Sequence, residues 1–97
     1  MVEHIVLFRW TNEASQETVD NALAELRGLQ GKIPGIVDIS SGVNSTDRAK
    51  GYTHVLIMHF ADRAALEAFG PHPEHQRVVH NFVSPIRAES LVFDHGF

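Results

Sequence analysis

Ninety-seven residues, 43% apolar and 21% charged, suffice for one small core, so a single domain over 1–97 is expected. A formal charge of −4 with no basic cluster argues against nucleic-acid binding. The absence of cysteine excludes disulfides, thiolate nucleophiles and cysteine-type zinc sites, and fits a cytoplasmic location.

The opening MVEHIVLFRW is interrupted by Glu3, His4 and Arg9, so it is read as neither signal peptide nor membrane span. Its β-branched and aromatic residues predict a strand over 2–10. Ser15 is placed to cap a helix and Glu17 suits the positive end of one. Val19, Ala22, Leu23, Leu26 and Ile33 keep an i, i+3/i+4 rhythm that predicts an amphipathic helix over 16–32, closed by Gly31 and Pro34-Gly35. A weaker strand follows at 36–44, then a polar loop, then the strongest strand, YTHVLIMHFA, over 52–61. Asp62 caps a short helix at 63–69, broken by Gly70-Pro71. Pro73 fits the first position of another helix, running to about Val83. The last strand covers 88–96. This order, β-α-β-β-α-(α)-β, predicts an α+β, ferredoxin-like split βαβ fold: an antiparallel sheet with helices on one face.

Strand side chains alternate between faces. The first strand places His4, Val6, Phe8 and Trp10 on one side and Glu3, Ile5, Leu7 and Arg9 on the other. The third strand divides into His54, Leu56, Met58 and Phe60 against Thr53, Val55, Ile57 and His59. Both faces are apolar, whereas a one-sided antiparallel sheet alternates apolar with polar. Helices cover only one face, so the other calls for a partner, and a homodimer built sheet to sheet is the economical solution.

Seven histidines stand out in a chain of this size. His75, Val78, Val79 and Phe82 share one helical face, so His75 replaces an apolar residue on a buried stripe, while His80 points to solvent. His4 and His54 hold early positions on two strands with the same parity. If that face looks toward the helices, His4, His54 and His75 converge on a pocket lined by Val6, Phe8, Leu56 and Met58. His72, one turn before His75, either caps the helix or bonds to His75. His59 has the opposite parity and belongs to the dimer face, and His95 is exposed. The plain alternative for each is a core histidine with its own hydrogen-bond partner. No metal is expected, because H-E-x-x-H and comparable spacings are absent.

The segments EHIVLFRW, GYTHVLIMHF, FGPHPEHQ and LVFDH, in this order along essentially the whole chain, resemble the stress-responsive A/B barrel domain (Dabb) family of dimeric α+β barrel proteins. The resemblance implies a ferredoxin-like protomer whose sheet pairs with a second to form a barrel. Some members are linked to stress tolerance in plants. One is a plant polyketide cyclase that makes olivetolic acid by aldol condensation without a cofactor. In that enzyme the second histidine of an H-P-x-H motif is the general base, which implies His75 here, and its strand histidines correspond to His4 and His54. A tyrosine three residues before the motif is replaced here by Phe69, which keeps the ring and lacks the hydroxyl. Two readings follow. One is a cofactor-free acid/base catalyst, a cyclase or lyase acting on a small carbonyl compound, with catalytic His75, His54 and His4 and with Val6, Phe8, Leu56, Met58, Phe69 and His72 around the substrate. The other is a non-enzymatic small-molecule-binding or stress-related oligomeric protein using the same pocket.

Overall fold

A computed structural model describes all residues, Met1–Phe97. The elements are β1 (Val2–Trp10), α1 (Gln16–Arg27), β2 (Ile36–Val43), β3 (His54–Phe60), α2 (Arg63–Phe69), α3 (Pro73–Val78), a π-helical turn over Val79–Val83, and β4 (Arg87–Gly96). The strands form one sheet in the order β2-β3-β1-β4, every neighbouring pair antiparallel. This is the ferredoxin-like α+β arrangement, with β3 inserted between β1 and β2. No helix is long and apolar enough to cross a membrane.

Val2, Val6, Phe8, Leu56, Met58 and Phe60 are buried on the helix-facing side of the sheet. They pack against Val19, Ala22, Leu23 and Leu26 of α1, Phe69 of α2 and Val78 of α3. The helix starts follow the sequence. Ser15 and Thr18 form a reciprocal capping box, Asp62 accepts from the Ala65 amide, and Pro73 opens α3.

Two boundaries differ from expectation. The first helix ends at Arg27, not at residue 32. Gly28 follows the last helical residue, and the chain turns through Gly31 at φ 88°. Leu29 and Ile33 stay buried because this turn folds back onto the core, with the Ile33 amide bonded to the Leu29 carbonyl. The apolar rhythm is thus real, but glycine ends the helix beneath it. The helix expected over 73–83 is α-helical only to Val78. Beyond it the Ser84 amide bonds to the Val79 carbonyl at 2.8 Å, a wider i→i+5 turn. Val83, not Phe82, is therefore the buried member of the inward face.

Gly35 shows how tightly α2 is seated. Its φ is +89°, and an added Cβ would lie 2.4 Å from the Ala65 Cβ. Its carbonyl also accepts from the Ala61 amide. Gly35→Ala combines left-handed strain with a backbone-level clash and is expected to cost about 2–4 kcal/mol in urea unfolding. A loss under about 0.5 kcal/mol would contradict this packing.

The opposite face of the sheet has no helix over it. Ile5, Leu7, Val55 and Ile57 are half-buried there, and Leu91 and Phe93 of β4 are 53% and 62% exposed. One end of this face is polar. His59 donates through Nε2 to Glu3 at 2.8 Å and lies within 2.9 Å of Asp38 through Nδ1, while His95 Nε2 reaches the other Glu3 oxygen at 2.9 Å. The Glu3 bond and the Asp38 carboxylate raise the pKa of His59, and the Glu3 bond raises that of His95. The same two histidines lower the pKa of Glu3. For the histidines, stabilisation is complete below their unfolded value of about 6.5 and is lost as pH rises through the raised folded values. For Glu3 it is complete above about 4.3 and is lost as pH falls through the lowered value. Melting temperature is therefore expected to peak between these limits, and His59→Gln should flatten the alkaline decline. An unchanged alkaline decline in that variant would show that the network does not set it.

Candidate functional site

A cavity of about 280 Å³ lies between the helix-facing side of the sheet and the α2–α3 segment. Its apolar wall comes from Val6 and Phe8 of β1, Leu56 and Met58 of β3, Leu26 of α1, Leu66 and Phe69 of α2, Val79 and Val83 of the π-turn and Val92 of β4. Its polar groups are His4, His75, Arg87 and Ser90. No carboxylate lines it.

Local structure aims His75. Gly70-Pro71 ends α2, and His72 caps α3, its Nδ1 accepting from the Glu74 amide at 3.1 Å. One turn on, His75 Nδ1 is 2.9 Å from the Gly70 carbonyl. A carbonyl only accepts, so Nδ1 carries the proton, and in the neutral ring Nε2 holds a free lone pair. Burial pushes the His75 pKa below the ordinary histidine value. The Gly70 bond partly opposes this, and the nearby His4 and His72 add to the lowering. His75 is thus held as the neutral base at neutral pH.

His4 is oriented by a carboxylate. Its Nδ1 is 2.5 Å from Asp94 Oδ1, with the His4 side chain 13% exposed. Asp94 lies opposite His4 in the β1–β4 register, so both project to the same side. The proton sits on Nδ1, which leaves His4 Nε2 without a partner in the chain. Phe69 packs against both imidazoles. Its ring centroid is 4.0 Å from that of His75 and 6.0 Å from that of His4. Phe60 meets His4 edge-on at 6.0 Å.

His4 and His75 line the same cavity as Val6, Phe8, Leu56, Met58 and Phe69. His54 does not join them. β1 and β3 are antiparallel, so His4 pairs with Met58 and His54 with Phe8, at the far end of the shared face. Equal distance from each strand's start means opposite ends of the pair. His54 Nδ1 accepts from the Trp10 indole at 3.0 Å, and the Thr53 hydroxyl lies 2.7 Å from the same atom. Burial lowers its pKa, and the bond from an indole, which can only donate, requires an unprotonated Nδ1. His72 is also outside the cavity, its ring used in the cap. His80 and His95 are exposed, and His59 belongs to the outer face. Asp94, Arg87 and Ser90 were not singled out in the sequence. Asp94 could have been found by pairing β4 with β1, since it shares the parity of Val92 and faces His4.

The family model of the stress responsive A/B barrel domain matches residues 2–96. A stress-response A/B barrel domain-containing protein of Arabidopsis thaliana is 30% identical over 95 residues, which are 97% of this chain. The chain spans 36% of that protein's length. Among solved structures, a hydroxynitrile lyase from Passiflora edulis superposes with a TM-score of 0.87 at 26% identity, covering 97% of this chain and 90% of its own. A dimeric ferredoxin-like protein of unknown function from Jannaschia gives a TM-score of 0.82 at 30% identity, covering 99% and 98%. With the fold, the order of motifs and the family model in agreement over nearly every residue, the chain belongs to the stress responsive A/B barrel domain (Dabb) family.

Proposed function

We propose that the protein is a cofactor-free acid/base catalyst that makes or breaks a carbon–carbon bond beside a carbonyl group in a small molecule. The observation that carries this reading is the His75 ring. Its Nδ1 is committed to the Gly70 carbonyl, and its free Nε2 belongs to a half-buried base on the wall of an apolar cavity. In the condensing direction, Nε2 takes a proton from a methylene flanked by carbonyls, and the electron pair moves onto oxygen as an enolate. His4, in its protonated form and held by Asp94, donates Nε2–H to that oxygen. The enolate carbon then attacks a second carbonyl, and the proton returns to the new alkoxide. The reverse sequence is a lyase reaction: His75 removes a hydroxyl proton, and the carbonyl re-forms as the carbon–carbon bond breaks. The departing fragment leaves with the electron pair as an enolate or cyanide and takes the proton back from His75. The similarity to a hydroxynitrile lyase over nearly the whole chain supports the lyase direction.

The cavity is read as one of two in a homodimer joined through the outer sheet face. The apolar residues of that face and the dimeric Jannaschia relative support this. The alternative, a non-enzymatic small-molecule-binding or stress-related oligomeric protein, is favoured by Phe69, which brings no hydroxyl to the imidazoles.

Turnover of a panel of β-hydroxy ketones, hydroxynitriles and linear polyketone thioesters tests the catalytic reading. Any substrate converted by the wild type should be lost roughly 10²–10⁴-fold in His75→Gln, with folding unchanged. Because the His75 pKa is lowered, the ascending limb of the rate against pH should lie below about 6.5. No conversion of any compound, or conversion that survives His75→Gln, would favour the binding protein.

A further inference from the structure

β4 carries an irregularity that bears on what the cavity holds. Phe8 pairs with Ser90 and Arg9 with Glu89, but Trp10 pairs with Arg87, so Ala88 is left as an extra residue. The consequence is directional. Paired residues in an antiparallel ladder project to the same side. Glu89 follows Arg9 to the outer face, where the two form an ion pair. Simple alternation would then send residue 88 to the helix side and Arg87 outward. The bulge reverses this, and Arg87 joins Ser90 on the cavity wall. Bulges re-aim side chains in this way beside functional sites.

Arg87 is half-buried there and makes no ion pair within the chain, unlike Arg9 and Arg77. The cavity's titratable groups are Arg87, His4 and His75, all of which carry either positive or no charge, and no acid lines it. The lining is electropositive at its Arg87 end, since the Asp94 carboxylate stands by His4 at the other end of the β1–β4 pairing. A guanidinium offers a planar fork of donors that matches a carboxylate, and the Ser90 hydroxyl adds one more donor. At about 280 Å³ the space falls just under the roughly 300–1,000 Å³ typical of drug-sized ligands, so its occupant is small.

We infer that the cavity takes a small amphipathic carboxylic acid, with its carboxylate on Arg87 and Ser90 and its apolar body along Leu56, Met58 and Val79. This rests on reading the cavity as a binding site and adds the charge of the ligand. It places the reacting carbon of the proposed chemistry away from the carboxylate, toward the histidines.

Octanoate, octanamide and octyl phosphate form a set with one chain length and different heads. Each is titrated into wild type, Arg87→Gln and Ser90→Ala, following backbone amides and the His4 and His75 ring protons by NMR. Octanoate is expected to bind wild type about ten- to a hundred-fold more tightly than octanamide. Arg87→Gln should bring octanoate down to the level of octanamide and leave octanamide unchanged; Ser90→Ala should narrow the gap less. Equal binding of acid and amide to wild type, or a preference that survives Arg87→Gln, overturns the inference. Tighter binding of octyl phosphate than of octanoate overturns the carboxylate assignment. Saturation by none of the three overturns the inference together with the reading of the cavity as a binding site. Carboxylate-selective binding without turnover of any substrate in the panel would remove the catalytic proposal and leave this one standing.

Discussion

Ile57→Asp is expected to convert the proposed sheet-to-sheet dimer into a folded monomer of 10.8 kDa. Ile57 sits on the outer face of an interior strand, paired with Ile5 on one side and Ser40 on the other. Leu7 and Val55 share its face and are half-buried, and Leu91 and Phe93 of β4, farther along the same face, are largely exposed. In a two-fold interface each substitution appears twice, and each carboxylate would be stripped of water among aliphatic side chains. That penalty is several kcal/mol per charge, enough to abolish a modest interface. The protomer's own core lies on the other side of the sheet, so its circular dichroism should be preserved. Light scattering across micromolar concentrations reads the outcome. A wild type that is already monomeric, or an Ile57→Asp variant that remains dimeric, would remove the sheet-to-sheet interface.

Phe60→Ala is expected to cost about 3–5 kcal/mol, the range for deleting a large aromatic side chain from a closed core. Phe60 is fully buried at the end of β3, its centroid 5.1 Å from Phe69 and 6.0 Å from His4. Against a total stability of about 5–15 kcal/mol for a domain, this is a large share. The cavity left behind would adjoin the functional one and free both Phe69 and His4 to move. Ligand affinity should therefore fall together with the urea midpoint. A loss below about 1.5 kcal/mol would mean that helix α2 closes over the gap, and that Phe60 does not hold the site's geometry.

The elements of the fold were legible because each carries a local signal: the β-branched and aromatic runs of β1 and β3, the Ser15 and Asp62 caps, and Pro73 at a helix start. The bare outer face was legible as well, since parity shows Ile5, Leu7, Val55 and Ile57 on the side opposite the core. The site was legible only in part. His4 and His75 could be placed from parity and helical spacing. His54 could not, because two strands read separately give no register, and antiparallel pairing carried it to the Trp10 end. Arg87 was hidden by a bulge, which breaks the alternation on which parity depends. Val83 was hidden by the π-turn in the same way, through a local change of period. The Gly70 carbonyl that fixes the His75 tautomer is a backbone group, and its position follows only from the folded turn between α2 and α3.

Whether His75 is a base facing a ligand is decided most directly by following its imidazole protons by NMR. The titration runs from about pH 4 to 9, across the ordinary histidine range, with and without a saturating ligand from the acid panel. His54 serves as an internal control. His75 is expected to titrate below the ordinary histidine value, and ligand should shift its titration together with the resonances of His4. His54, held by Trp10 away from the cavity, should not respond to ligand. A His75 ring that neither titrates nor responds, while the protein remains folded, would make the H-P-x-H segment a structural turn and leave the cavity without its base.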